Sequence, residues 1–137
     1  MNILDFKESE AAYFDYDTTQ TVWGEDVEIS VTFETEDSNN HLTEEQISLR
    51  GVIRPLSKSL NYFEEHKADM EKEIITNIED VGEDDAEFFE LKWMLFLFYV
   101  DTGAYELTAY IKIYPEFDDE VAVILKSDNS IEVEEVG

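Results

Sequence analysis

The stretch "WMLFLFYV", residues 93–100, decides how this chain folds. It carries no charge, and both of its alternating sets are apolar. Trp93, Leu95, Leu97 and Tyr99 fall on one side, Met94, Phe96, Phe98 and Val100 on the other. The run is far shorter than the ~20 residues a membrane helix requires. It predicts a central β-strand covered on both faces. Directly before it stands "NIEDVGEDDAEFFE", residues 77–90, half of them acidic. That placement predicts a connection from a surface helix into a buried strand. Its charges stay in water, and they act as gatekeepers for an aggregation-prone apolar segment.

Downstream, Asp101-Thr102-Gly103-Ala104 predicts a hairpin loop. "YELTAYIKIY" (105–114) then alternates, with Leu107, Ala109, Ile111 and Ile113 inward and Glu106, Thr108, Tyr110, Lys112 and Tyr114 outward. "EVAVILK" and "SIEVEEV" predict a last hairpin around Ser127-Asp128-Asn129. Upstream, residues 11–33 predict two strands. Val27, Ile29, Val31 and Phe33 alternate with Glu28, Ser30 and Thr32, the pattern of a strand with one wet face. Gly24-Glu25 suits a two-residue turn of the Gly-first kind. Residues 34–41 read as a polar loop.

Between these strand regions the period changes. Thr43-Glu44-Glu45-Gln46 is a capping box that opens a helix. Pro55 is expected to kink or break it. Leu56, Leu60, Phe63, Met70, Ile74 and Ile78 continue one apolar stripe at helical spacing, ending near Asp80. The order strands, helices, strands predicts the α+β class: an antiparallel β-sheet packed against two helices in a single domain, residues 1–137.

Charge narrows the function. The chain has 35 acidic and 9 basic residues, a net charge of −26. Such a surface repels nucleic acid and anionic lipid and attracts a basic partner. The 13% aromatic content argues for a folded core despite that charge. There is no Cys, which removes disulfides and thiolate chemistry and suits a reducing cytosol. The start, "MNILDFKESEAAYF", lacks the basic and long apolar regions of a signal peptide. A soluble, cytoplasmic protein without membrane association is expected.

The charge is also unevenly placed. Arg50, Arg54, Lys58, Lys67 and Lys72 face only four acids within residues 50–72, so the predicted helices are nearly neutral. Glu64 with Lys67 and Asp69 with Lys72 are candidate pairs there. The predicted strands and loops hold the excess. They suggest an acidic partner-binding surface from Glu79, Asp80, Glu83, Asp84, Asp85 and Glu87 together with Glu116, Asp118, Asp119 and Glu120. Tyr110 and Tyr114 are candidate aromatic anchors.

No constellation names a reaction. "DYDTTQTVWGED" (15–26) has acids at three calcium-loop positions, but it lacks the Gly for the sharp turn and the final Glu. Glu90-Leu91-Lys92 has the Glu-x-Lys spacing of some metal-dependent nucleases, yet a chain this acidic repels their substrate. His41 and His66 have no second His at ligand spacing. There is neither a Gly-x-Ser-x-Gly elbow nor a Gly-rich phosphate loop. The expectation is a non-enzyme with no cofactor and no metal site.

Three segments carry a resemblance: "VWGEDVEISVTF", the Thr43-x-x-Gln46 helix start, and the ending "AYIKIYPEFDDEVAVILKSDNSIEVEEVG". Together they resemble a family of uncharacterised bacterial proteins, some of which look like immunity proteins of toxin systems. Phe117-Asp118-Asp119-Glu120 falls at the family's acidic turn, with Val121-Ala122 where His-Gly is usual. The resemblance implies a non-catalytic inhibitor that neutralises a basic toxin such as a nuclease. The alternative is a structural domain whose acidity serves solubility, a homo-oligomer joined through its near-neutral helical face.

Overall fold

Strong β-formers at alternate positions give the molecule its main element. In the computed structural model, which describes residues 3–11, 14–35, 48–79, 81–113 and 120–136, seven strands form one sheet. They are β1 (Phe6–Glu8), β2 (Tyr16–Val22), β3 (Glu25–Glu34), β4 (Glu90–Tyr99), β5 (Tyr105–Lys112), β6 (Glu120–Lys126) and β7 (Ile131–Glu135). Their spatial order is their order in the chain. Helices α1 (Leu49–Glu65) and α2 (Lys67–Asn77) intervene between β3 and β4. The class is mixed α and β, with strand predominating.

The expectation of a purely antiparallel sheet is corrected. β3 and β4 run parallel, with Glu28 opposite Trp93 and Phe33 opposite Phe98. The other five pairings are antiparallel. Two strands joined through helices enter the sheet in the same direction, because the chain crosses back over the face before pairing. β4 is the middle strand, as its apolar run predicts.

One core lies between one sheet face and the helices. Val27, Ile29, Val31 and Phe33 of β3, Met94 and Phe96 of β4, and Leu107, Ala109 and Ile111 of β5 all belong to it. Helix α1 contributes Val52, Leu56, Leu60 and Phe63, and α2 contributes Met70 and Ile74. Each buried Leu, Ile, Phe or Met stabilises the fold by about 1.5–3 kcal/mol in transfer free energy. α1 packs over β5, and α2 over β6 and β7.

Three local expectations are revised. First, α1 runs through Pro55, and the break falls at His66. The Tyr62 carbonyl accepts the His66 N–H at 3.0 Å and lies 2.8 Å from its Nδ1. Thr43 lies outside the described residues, and the helix that holds Pro55 begins at Leu49, after an extended Ser48, instead of at Thr43. Second, the β2–β3 turn is Trp23-Gly24, one residue earlier than expected. Both have positive φ, 53° and 80°, as a primed two-residue hairpin turn requires. Trp23 is held in this unusual conformation by three contacts. Its ring stacks on Phe63 at 4.6 Å, its Nε1–H donates to the Phe63 carbonyl, and its backbone N–H donates to Glu64 Oε2 at 2.6 Å. Third, Glu64 is therefore engaged with Trp23 and not with Lys67. The Lys67 ammonium instead sits 5.4 Å from the Trp23 ring centroid. Nor do Asp69 and Lys72 pair as Lys92 with Glu90 and Lys126 with Glu132 do.

Candidate functional site: the outer face of the sheet

The face of the sheet turned away from the core is assembled by register. Residues directly opposite one another on paired strands share a face. One row therefore reads Thr19, Glu28, Trp93, Tyr110, Ala122, Glu134 from β2 to β7. The next reads Asp17, Ser30, Leu95, Thr108, Ile124, Glu132. A third carries Thr32, Leu97, Glu106 and Lys126.

The middle of this face is apolar and aromatic. Trp93 and Tyr110 stack with centroids 4.4 Å apart and planes 9° from parallel, and Phe14 meets Trp93 edge-on at 6.1 Å. Such contacts each add roughly 0.5–1.5 kcal/mol beyond area burial. Trp93, Leu95, Leu97, Tyr110 and Ile124 are only part-buried, whereas Met94 and Phe96 on the opposite side are fully buried. The expectation that β4 is covered on both faces is thus corrected. Its odd-numbered side chains from Trp93 to Leu97 stand outside the main core, whereas Leu91, before the register shift, packs against it. Ser30, expected on a wet face, is buried and donates to Asp17 Oδ1 at 3.0 Å.

Carboxylates frame the aromatic centre. Glu28 flanks it on β3, Glu106 on β5, Glu120 on β6, and Glu132 and Glu134 on β7. Burial raises the Tyr110 phenol above the ordinary tyrosine range, and the negative charges of Glu120 and Glu134 raise it further. Among the facing bases, Lys126 is tied to Glu132 at 2.8 Å. The face therefore retains a negative field around a stack of rings.

The anticipated site residues divide into three groups. Tyr110 and Glu120 are on this face, Tyr110 at its centre and Glu120 at the start of β6. Glu79 is exposed just after α2, and Glu83, Asp84, Asp85 and Glu87 form a 3-10 segment, Glu83–Phe88. Within it, Asp85 Oδ2 accepts the Gly82 N–H at 2.8 Å and caps the segment. This segment leads into β4 at the end of the sheet where Glu90, Lys112 and Glu120 align. Asp80, Tyr114, Glu116, Asp118 and Asp119 lie outside the described residues. Trp93, Phe14, Glu28 and Glu134 were not anticipated. Alternation alone could not assign Trp93 to either face, because both sets in its strand are apolar; the outward phase of Tyr110, read across the pairing, was the missing signal.

Three of the four acids of residues 15–26 have protein donors. Asp15 Oδ2 accepts the Phe33 N–H at 3.0 Å, Asp17 accepts from Ser30, and Asp26 accepts from Thr21 at 3.1 Å. They are distributed along a β-hairpin, not around a loop. Among the described residues, no helix is long and apolar enough to cross a membrane. No family model, curated protein or solved structure matches the chain.

Proposed function

We infer that this chain is a non-catalytic binding protein whose outer sheet face receives a basic protein. The observation that carries the reading is the part-buried Trp93–Tyr110 stack framed by Glu28, Glu120 and Glu134. Aromatic side chains supply area at low entropic cost, and the surrounding charges steer and orient a cationic partner. The exposed 3-10 segment adds Glu83, Asp84 and Glu87 to the approach field. In its finer form the reading is a cytoplasmic immunity protein that neutralises a basic toxin, such as a nuclease, by occupying its phosphate path.

The alternative, a homo-oligomer joined through the helices, has less support. The exposed large hydrophobic side chains among the described residues are Ile3, Phe88 and Val136, none of them on α1 or α2. Pairing two outer faces would set their carboxylates against their own copies.

Co-expression with the product of the adjacent reading frame tests the proposal, scored by growth rescue and by co-purification. The association rate of the complex should fall steeply with salt. A harmless neighbour that does not co-purify removes the immunity reading. A complex whose association ignores salt removes the electrostatic one.

A further inference from the structure

The last strand of the sheet has an open side. β7 pairs with β6, and among the described residues no strand lies beyond it. Two bonds fix the phase of its backbone. The Lys126 N–H donates to the Ser130 carbonyl at 2.9 Å, and the Val136 N–H donates to the Glu120 carbonyl at 3.0 Å. In an antiparallel pair such bonded positions recur at every second residue. Glu132 and Glu134 therefore turn their backbone groups to β6, opposite Ile124 and Ala122. Ile131, Val133 and Glu135 turn theirs outward. The side chains alternate in the same phase. Glu132 and Glu134 stand exposed on the outer face, whereas Ile131 and Val133 pack against the core. The opposite edge, β1, has three residues and gives an incoming strand little to pair with.

We propose that the β7 edge is the docking line for an extended segment of the basic partner, added antiparallel beyond β7. This rests on the reading that the chain binds a basic protein, and it specifies the form that partner presents. A strand seated there shares backbone hydrogen bonds with Ile131, Val133 and Glu135, and its side chains fall in register with those of β7. Positions opposite Glu132 and Glu134 call for Lys or Arg, and those opposite Ile131 and Val133 call for apolar residues. The segment therefore alternates basic with apolar. A second copy of this chain does not fit. Antiparallel pairing of two β7 strands about Val133 sets Glu132 against Glu134 of the other copy, and like charges directly opposite are destabilising. Charged edges exclude unwanted strands in this way. Here the sign of the charge still admits a basic one.

Titration of the full, isotope-labelled chain with two peptides of about eight residues tests this. One alternates Lys with Val, and the other has the same composition in two blocks. The alternating peptide should bind about tenfold more tightly, the scale of one or two backbone hydrogen bonds. Amide exchange at Ile131, Val133 and Glu135 should slow when it binds, whereas Glu132 and Glu134 should already be the slower set in the free chain. N-methylation of the peptide's Val amides, which face β7, should abolish the preference. N-methylation of its Lys amides, which face away, should leave it. Glu135→Pro removes one outward donor at an exposed edge position and should weaken the alternating peptide roughly fivefold more than Glu135→Gln does. Equal binding of both peptides overturns the docking line and leaves the basic-partner reading standing. So does a preference that survives Val N-methylation, or binding that leaves the exchange of Ile131, Val133 and Glu135 unchanged. No binding of either peptide overturns the basic-partner reading, and the docking line with it.

Discussion

Tyr110 joins the packing of the sheet to its electrostatics. Its ring is held against Trp93, and its hydroxyl lies in the field of Glu120 and Glu134. Burial, and then those two charges, raise its folded-state pKa above the unfolded value. The associated stability is fully present below the unfolded tyrosine pKa and is lost as pH rises through the raised value. Spectrophotometric titration of tyrosinate should show a late-ionising component that is lost in Tyr110→Phe. Glu134→Gln should lower its midpoint towards the ordinary tyrosine range. An unmoved midpoint would mean that Glu134 does not face the ring. The outward direction of Tyr110 was legible from the alternation of its strand. The identity of its neighbours was not, because register depends on which strands pair.

At the scale of elements, turns and helix ends were harder to read than strands. Strand positions follow from a period of two, which packing on one face enforces. The Trp23-Gly24 turn instead depends on a tertiary contact, since a Trp at positive φ is retained through its stack on Phe63 and its bond to the Phe63 carbonyl. The uninterrupted α1 likewise depends on packing. Val52, Leu56, Leu60 and Phe63 are buried on both sides of Pro55 and outweigh its missing donor. Gly51 lies four residues before Pro55 on the exposed side of α1, and a Cβ there meets nothing within 4 Å. Gly51→Ala should therefore raise the unfolding free energy by about 0.5–1 kcal/mol, read from urea denaturation. Unchanged or lower stability would show that the glycine relieves strain around the proline. Trp23→Asn tests the turn. Asn tolerates positive φ but loses the stack, and a loss of about 2 kcal/mol is expected from the aromatic pair and its burial. A neutral result would show that the indole does not anchor the end of α1.

For the whole molecule, the excess of 35 acids over 9 bases opposes compaction. The ion pairs Lys92–Glu90 and Lys126–Glu132 are both partly open to solvent, where such pairs contribute little. Screening should therefore stabilise the fold. Raising ionic strength from roughly 0.01 M to 0.15 M shortens the screening length from about 30 Å to about 8 Å, and the melting temperature should rise with it. The same salt should weaken binding to a basic partner, so stability and affinity should move in opposite directions. A melting temperature that falls with salt would mean that local pairing outweighs repulsion.

The parallel pairing of β3 with β4 has a consequence for synthesis. A ribosome releases β1, β2 and β3 first, then both helices, and only afterwards the strand that completes the middle of the sheet. Until then β3 presents an open hydrogen-bonding edge, and the buried faces of α1 and α2 lack β5, β6 and β7. Such long-range closure is slow, and the waiting edge invites pairing with other nascent chains. The acid-rich segment leaves the exit tunnel just ahead of the apolar middle strand, so like charges hold neighbouring copies apart during the interval when each is most able to aggregate.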